Sequence, residues 1–136
     1  MLPNYLLDTN TCIYITKQKP INVINKFKKM QVGSVAMSTI NFGELYYGSE
    51  KSEHSKKAHA ALEALVGVIP VLPIPSEAAK QYGHIRYYLE KKGLMIGNND
   101  LWIAAHCLTL GIVLVTNNTK EFERVPKLQI ENWVVE

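Results

Sequence analysis

The sequence predicts an α/β fold in which helices cover both faces of a central parallel sheet, giving a three-layer α/β/α arrangement. Short apolar stretches with strand character alternate with helix-like segments along the chain, as in folds built from βαβ units. Residues 112–115 form a continuous run rich in β-branched side chains, which is typical of a strand buried on both faces. In such a sheet, ligands bind beyond the carboxyl ends of the strands, so functional residues are expected there.

The strands are expected in short apolar stretches that end at polar or turn residues. Residues 5–7 and 35–37 stop directly before Asp8 and Ser38. The stretch 68–74 contains two prolines, which predicts an edge strand or an irregular segment. The candidates for the remaining strands are residues 112–115, 128–130 and 133–135.

Apolar residues at helical spacing predict the helices between these strands. The clearest helix spans residues 76–92, with Ser76 as its expected N-cap and Gly93 just beyond its end. Another spans about residues 99–110, where Asn98 and its neighbour are suitable caps. Two further helices are expected around residues 23–30 and 58–65.

The size, composition and charge restrict the class of protein. A chain of 136 residues has the length of one domain, so residues 1–136 are expected to form a single domain. With 47% hydrophobic and 20% charged residues, the chain is too apolar to be disordered. A net charge of +3 permits an anionic partner such as nucleic acid but does not require one.

The sequence has neither the long apolar segments of a membrane or secreted protein nor the cysteines of a disulfide-bonded one. No apolar run approaches the ~18 residues of a membrane span, and Asp8 interrupts the N-terminal stretch before it takes the form of a secretory signal. We therefore expect a cytoplasmic protein with no membrane partner. Cys12 and Cys107 are too few for a disulfide framework. They are expected to be reduced and buried, since a free cysteine behaves as a small hydrophobic residue.

Three acidic residues stand at junctions between the predicted elements. Asp8 directly follows the first strand, and Glu44 lies in the helix that begins at Ser38 or Thr39 after the second strand. Asp100 falls in the first turn of an apolar helix. Each acid has an ordinary structural explanation, which is N-capping for the two aspartates and an interaction with the helix dipole for the glutamate.

A fourth junction follows the strand that ends at Val115. The segment 116–122 carries two amides, Asn117 and Asn118, and the acid Glu121. Several short polar residues near these junctions are suited to hydrogen-bond phosphate or the waters around a metal, with cap or turn roles as the alternative. These residues are Thr9, Asn10, Thr116 and Asn118.

Taken together, the acids at these junctions predict a metal site. Two carboxylates ~4 Å apart repel by about 4 kcal/mol at an effective dielectric near 20, so a cluster without a cation would protonate or separate. Mg²⁺ or Mn²⁺ resolves this repulsion, because both take oxygen ligands and also bind phosphate oxygens. The chemistry expected of such a site is hydrolysis of a phosphate ester, with a nucleic-acid backbone as the expected substrate.

At these junctions the chain resembles the PIN-domain family of metal-dependent ribonucleases. More narrowly, it is similar to the VapC-type toxins of bacterial toxin–antitoxin pairs. The resemblance covers nearly the full length and implies a compact α/β/α fold with an acidic pocket. The stretches that carry it are residues 6–10, 38–45, 96–106, 115–126 and 131–133.

The resemblance also implies roles for the acids. It maps Asp8, Glu44 and Asp100 onto the three principal acids of the family, with the two aspartates as the main Mg²⁺ ligands. Glu44 would bind the metal directly or through water, or would orient the attacking water. Many members of the family carry a fourth acid after the last inner strand. Glu121 is the candidate for it, and whether it or an asparagine takes that position stays open, as does the number of metal ions.

The resemblance also implies an activity, a substrate and protein partners. The activity is endonucleolytic cleavage of RNA with Mg²⁺, for which Mn²⁺ can substitute. The branch of the family implies initiator tRNA, cut in the anticodon stem-loop, although no residue visibly encodes that choice. A VapB-type antitoxin would bind the chain and block the pocket, and a homodimer is expected.

Two other functions remain open from the sequence alone. One is a metal-dependent phosphatase with Asp8 as nucleophile, similar to the haloacid dehalogenase pattern. That pattern requires a second aspartate two residues later, where this chain has Asn10. The other is a non-catalytic module that binds RNA or a protein partner, for which the acids would be helix caps only. Insensitivity of the activity to EDTA would favour the second alternative.

Overall fold

The computed structural model describes residues 2–135 and contains a five-stranded sheet. In chain order the strands are β1 (Tyr5–Leu7), β2 (Val35–Ser38), β3 (Val71–Leu72), β4 (Val113–Val115) and β5 (Ile130–Glu131). The helices are α1 (Thr9–Lys17), α2 (Ile21–Lys28), α3 (Thr39–Glu50), α4 (Ser55–Val68), α5 (Ala78–Lys92), α6 (Asn98–Leu110) and α7 (Thr119–Phe122). Across the sheet the order is β3-β2-β1-β4-β5, and each neighbouring pair is parallel.

Side chains that alternate along the strands divide the apolar interior into two layers. Leu6, Ala36 and Leu114 lie on one face of the sheet, where they pack with buried residues of α5 and α6. Leu7 and Val115 lie on the other face, with buried residues of α1, α2 and α4. Successive strand residues point to opposite sides, so each short strand contributes to both layers. The three-layer α/β/α fold with a parallel sheet is therefore confirmed.

The strand predictions are confirmed except at the C-terminal end. The stretch with two prolines contributes β3, which lies at an edge of the sheet as predicted. Of the two candidates for the last strand, Ile130 belongs to β5, whereas residues 133–135 form no strand. Trp133 is instead buried against Tyr5, with ring centroids 5.8 Å apart. Packing of Trp133 and Val134 against the core explains two of the apolar residues there without strand pairing, whereas Val135 is exposed.

The ends of two helices follow the prediction, but the start of one does not. Gly93 and Gly111 follow α5 and α6 with φ angles of 69° and 68°, a left-handed conformation that glycine adopts without strain. Ser76 does not cap α5, so that prediction was wrong. The helix begins at Ala78, whose N–H donates to the carbonyl of Pro75. A backbone turn thus satisfies the helix start without the serine hydroxyl.

The predicted caps of α6 were also wrong. Its N-cap is Gly97, and no side-chain cap bond is formed there. Asn98 and Asn99 lie inside the first turn, and the side-chain oxygen of Asn98 accepts a hydrogen bond from the Tyr82 hydroxyl of α5. The asparagine that was expected to cap its own helix therefore joins two helices.

The two cysteines have the reduced and buried state that was predicted for them. Cys12 and Cys107 are both free and buried, and burial raises the pKa of each thiol above its ordinary range. Among residues 2–135, every helix is too short or too polar to cross a membrane.

The carboxyl edge of the sheet brings the candidate residues to one side of the molecule. β2, β1 and β4 lie next to one another, and Ser38, Asp8 and Thr116 stand at or directly after their ends. The helix α3 begins immediately after β2, so Asn41 and Glu44 project from the same edge. The topology therefore places side chains that are far apart in sequence over a common site.

Candidate active site

Asp8 occupies the centre of this edge, at the end of β1. It is the N-cap of α1, and its Oδ1 accepts a hydrogen bond of 2.9 Å from the N–H of Thr9. Its Oδ2 accepts a bond of 2.8 Å from the buried Thr116 hydroxyl. The capping explanation and the functional one are thus compatible, because Oδ1 caps the helix while the charge of Asp8 still acts on Asp100.

The environment of Asp8 acts on its charge in two directions. The side chain is only 8% exposed, and burial raises the pKa of the carboxyl. Hydrogen bonds from Thr116 and the Thr9 backbone lower the pKa, the charge of Glu44 raises it, and a bond from Asn41 lowers it again. The net pKa lies above the usual value, so the negative charge at this position is only partly compensated by the protein.

Asn41 links Asp8 to the helix that carries Glu44. Ser38 and Asn41 form a reciprocal capping box at the start of α3. The fully buried Asn41 amide also donates to Asp8 Oδ1 at 3.3 Å and to the Thr9 hydroxyl oxygen at 3.1 Å. The Thr9 hydroxyl in turn donates to Glu44 Oε1 at 2.6 Å. These contacts form a continuous network between the two acids.

Asn41 was not among the candidate residues predicted from the sequence. The available signal was its position three residues after the N-cap Ser38, where a polar side chain completes a capping box. That signal predicts the local cap but not the contact with Asp8, which lies 33 residues away in sequence.

Asp100 and Glu121 form the second acidic pair of the site. Burial raises the pKa of Asp100 to about 7, and a hydrogen bond to Glu121 together with the charge of that residue adds to the rise. Burial also acts to raise the pKa of Glu121, but hydrogen bonds from the Gly97 N–H and the Asn118 amide, together with Asp100 and Arg124, hold it below its usual value. The proton that this pair binds therefore resides on Asp100, and near pH 7 about half of the molecules carry it.

Gly97 fixes the approach of these two acids. Its N–H donates to Glu121 Oε1 at 2.8 Å. A Cβ atom at this position would lie 3.4 Å from Asp100 Oδ2 and 3.8 Å from Glu121 Oε1. The backbone of the segment before α6 thus passes directly beside both carboxyl groups, which places Glu121 within the site.

The two acidic pairs share one electrostatic environment. The charges of Asp8 and Glu44 both contribute to the raised pKa of Asp100. The four candidate acids, carried by the β1–α1 junction, α3, α6 and α7, are therefore linked by these charge effects. The proton on Asp100 relieves part of the repulsion that four negative charges would otherwise produce.

The supporting polar residues fall into two groups. Thr9 and Thr116 hydrogen-bond the acids Glu44 and Asp8, and the Asn118 amide donates to Glu121. The amide of Asn10 instead donates to Asn117 at 3.4 Å, at an exposed position. Asn10 therefore lies beside the site, where its contact is with another amide.

The carboxylate oxygens of the site are ligands that suit a hard divalent cation. In the structure, however, Asp100 and Glu121 are hydrogen-bonded to each other. Within residues 2–135, no group of three His, Cys, Asp or Glu side chains is arranged to hold a metal ion. Mg²⁺ keeps several waters and commonly uses only one or two carboxylates. Asp8 and Asp100 supply such oxygens, and burial together with the neighbouring acids raises the pKa of both, so a bound cation would stabilise their charged forms.

An apolar groove adjoins the site on the side of Glu44. Its volume is about 430 Å³, and residues of α1, α3 and α4 line it. Thr9 and Glu44 belong to the lining, which continues along Leu45, Leu62 and Leu65. A ligand in this groove would lie directly against one of the acids.

The sequence pattern of the PIN domain matches residues 5–128. Together with the parallel sheet and the acids at its carboxyl edge, this match defines the class of protein. The chain belongs to the PIN domain family.

The relatives narrow this class to the VapC ribonucleases. Ribonuclease VapC2 of Haemophilus influenzae is 42% identical over 130 residues, which cover 96% of this chain and 98% of that protein. The tRNA(fMet)-specific endonuclease VapC of Shigella flexneri is 41% identical over 129 residues, or 95% and 97% of the two chains. A chain in the structure of DNA-bound VapBC from Salmonella typhimurium superposes with a TM-score of 0.90, at 40% identity over 98% of this chain and 99% of that chain.

Proposed function

We propose that this protein is a Mg²⁺-dependent endoribonuclease, the toxin of a type II toxin–antitoxin system, and that Mn²⁺ can replace Mg²⁺. The observation that carries the proposal is the gathering of Asp8, Glu44, Asp100 and Glu121 at one edge of the sheet, with a pKa of about 7 for Asp100. The names of the relatives support hydrolysis of RNA as the reaction.

In this proposal Asp8 and Asp100 hold the metal ion. When bound there, Mg²⁺ would supply positive charge that polarises the scissile phosphodiester and makes an attacking water more acidic. Thr116 and Asn41 keep the Asp8 carboxylate oriented through their hydrogen bonds. Asp100 must release its proton before it binds a cation, because only the carboxylate is a good ligand.

Glu44 and Glu121 have supporting roles in the same scheme. The Thr9 hydroxyl orients Glu44, which leaves the second carboxylate oxygen of Glu44 to orient the attacking water and accept its proton. Glu121 accepts the Gly97 N–H and the Asn118 amide, so it fixes the segment before Asp100 and adds negative charge for the cation. We propose Glu121 as the fourth acid of the site on this basis.

The proposed substrate is tRNA, and specifically initiator tRNA cut in the anticodon stem-loop. Two relatives support it, since the Shigella flexneri and Salmonella typhimurium proteins, 41% and 40% identical, are both named tRNA(fMet)-specific endonucleases.

The proposed inhibitor is a VapB-type antitoxin, supported by the similarity to chains in VapBC complexes. A segment of the antitoxin in the groove beside Glu44 would close the site. We further propose a homodimer.

The substrate proposal predicts cleavage of initiator tRNA at a rate at least ~10-fold above that of an elongator tRNA under the same conditions, since selective contacts add about 1.4 kcal/mol or more of discrimination. Purified protein, Mg²⁺ and each tRNA would be incubated, and the fragments would be resolved on a denaturing gel and mapped. The Asp8→Ala variant controls for contaminating nucleases. Equal cleavage of both tRNAs would overturn the specificity, and cleavage of neither would overturn tRNA as the substrate.

A non-catalytic binding module and a phosphatase remain the alternatives. The phosphatase scheme requires a general acid two residues after Asp8, and Asn10 lies there with its amide directed to Asn117. The binding module does not account for the carboxylates, because a cluster of acids at the sheet edge repels the phosphates of RNA unless a cation is bound. The position of Asn10 and the clustered acids therefore favour metal-dependent cleavage over both alternatives.

A further inference from the structure

The start of α6 is held in place by residues from outside the helix. The first turn of a helix leaves N–H groups without partners, and a side-chain cap commonly satisfies them. In α6 the N-cap is Gly97 and there is no side-chain cap bond. The preceding residues Leu94 and Met95 are 40% and 38% exposed. Because Asp100 lies in this first turn, its position depends on contacts from other elements.

Residues around α7 supply the contacts on one side of this segment. The Gly97 N–H donates to Glu121 Oε1 at 2.8 Å. The Arg124 guanidinium donates to the carbonyl oxygen of Met95 at 3.0 Å. Both bonds hold the backbone that leads into α6. Neither of them involves the Asn98 side chain, which lies in the first turn of α6 and contacts α5.

Tyr82 of α5 supplies the contact on the other side. Its ring stacks on Trp102, with centroids 4.0 Å apart and an interplanar angle of 16°. Its hydroxyl donates to Asn98 Oδ1 at 2.5 Å and accepts from the Arg86 guanidinium at 2.9 Å. Arg86 is in turn close to Glu90, at 3.9 Å. The phenol is thus fixed by a stacked ring and by hydrogen bonds on both sides of its oxygen.

The hydrogen bonds that join Arg86, Tyr82 and Asn98 are suited to hold the first turn of α6 in place. A cationic donor to the phenol oxygen polarises its O–H bond, which strengthens the bond that the hydroxyl donates to Asn98. Asn98 and Asp100 are two residues apart in the same turn, so a constraint on one restricts the other. Trp102, in the next turn, carries the stacked ring.

We propose that Tyr82 is a positioning residue for Asp100, acting through its hydroxyl bond to Asn98. The proposal rests on the proposed function in so far as Asp100 holds the metal. Loss of the hydroxyl lets the first turn of α6 open more often, so that Asp100 spends less time in the geometry that the cation requires. Tyr82 acts in this scheme through Asn98 and the first turn of α6.

The test uses Tyr82→Phe, which keeps the ring and its stacking on Trp102 while removing the hydroxyl. We expect kcat for RNA cleavage to fall about three- to tenfold, as for the loss of one hydrogen bond. The Mn²⁺ concentration for half-maximal activity should rise by a similar factor, while the KM for RNA stays unchanged. Hydrogen exchange of the Leu101 amide, which bonds the Gly97 carbonyl, should accelerate by a comparable factor without metal or RNA.

A matched control and a double variant separate positioning from other roles. Tyr87→Phe alters an exposed tyrosine on the same helix, whose ring lies 5.2 Å from the Lys91 ammonium, and should leave kcat and the Leu101 exchange unchanged. Asn98→Ala should match Tyr82→Phe, and the double variant should be no worse than either single one, because both remove the same bond.

The outcomes distinguish this inference from the proposed function. A Tyr82→Phe protein with wild-type exchange at Leu101 and wild-type kcat would overturn the positioning role. A rise in KM alone would overturn it in favour of direct contact with RNA. If the wild-type protein shows no metal-dependent cleavage, the proposed function fails, whereas the hydrogen-exchange comparison still decides whether Tyr82 holds the turn.

Discussion

Replacing Asp100 by asparagine is expected to lower the rate of RNA cleavage by at least ~10³-fold and, at the same time, to stabilise the metal-free protein above pH 7. The activity falls because an amide is a neutral and weaker ligand for Mg²⁺ than a carboxylate. The stability rises because the pKa of Asp100 is raised to about 7, first by burial and then by Glu121. A functional residue that destabilises its own fold is expected where charge is concentrated for catalysis.

The sign of the stability effect follows from the pKa. The folded protein holds the Asp100 proton up to about pH 7, whereas an aspartate in the unfolded chain loses it near 3.8. The wild type therefore loses stability as the pH rises between these two values. Asp100→Asn removes this loss, and the amide can still donate to Glu121. Because the side chain is only half-buried, solvent screening limits the gain to about 1–2 kcal/mol.

Urea unfolding at pH 4 and pH 8 measures this effect, and a gel-based assay with Mg²⁺ measures the cleavage. The free energies of unfolding of the two proteins should be similar at pH 4 and should differ in favour of Asp100→Asn at pH 8. Glu123→Gln, an exposed acid just after α7, is the matched control and should change neither quantity. An Asp100→Asn protein that cleaves at the wild-type rate, or that is less stable at pH 8, would contradict the assignment.

Removal of divalent cations is expected to abolish cleavage. The Mg²⁺ concentration that gives half-maximal activity should rise as the pH falls below 7. Below that pH the Asp100 carboxyl is protonated in a growing fraction of molecules, and the cation must displace the proton. Each pH unit below the pKa should raise the Mg²⁺ concentration for half-maximal activity by up to ~10-fold.

Titrations of Mg²⁺ at pH 6, 7 and 8, after treatment with EDTA, give this dependence. The Glu123→Gln protein should follow the wild-type curve, since the exchanged acid lies outside the site. Full activity in EDTA would favour the alternative of a protein whose acids serve only as helix caps. A half-maximal Mg²⁺ concentration that does not change with pH would show that Asp100 does not compete with a proton for the cation.

Much of the site could be predicted because parallel strands place their carboxyl ends at one edge. Asp8 directly follows β1, and the cap Ser38 closes β2, so their neighbourhood was implied by the order of elements. Asp100 could be placed in the first turn of its helix from the apolar pattern that follows it. Local signals of this kind depend only on residues close in sequence.

The remaining contacts depend on long-range packing that no local pattern encodes. Asn41 bonds Asp8 across 33 residues, and Tyr82 bonds Asn98 across 16. The rotamer that lets each side chain reach its partner is set by the tertiary packing. Tertiary packing also explains why Asn98 does not cap α6, because its side-chain oxygen accepts the hydrogen bond of the Tyr82 hydroxyl. The proton shared by Asp100 and Glu121 likewise required the geometry of both side chains.

Direct binding of Mn²⁺ tests most simply whether the four acids form one cation site. Calorimetry or electron paramagnetic resonance at pH 8, without RNA, would compare the wild type with Asp8→Asn, Asp100→Asn and the control Glu123→Gln. We predict saturable binding to the wild type and to Glu123→Gln, and affinity weakened at least ~10-fold in each aspartate variant. Absence of binding to the wild type, or equal binding to all four proteins, would contradict a shared metal site built from Asp8 and Asp100.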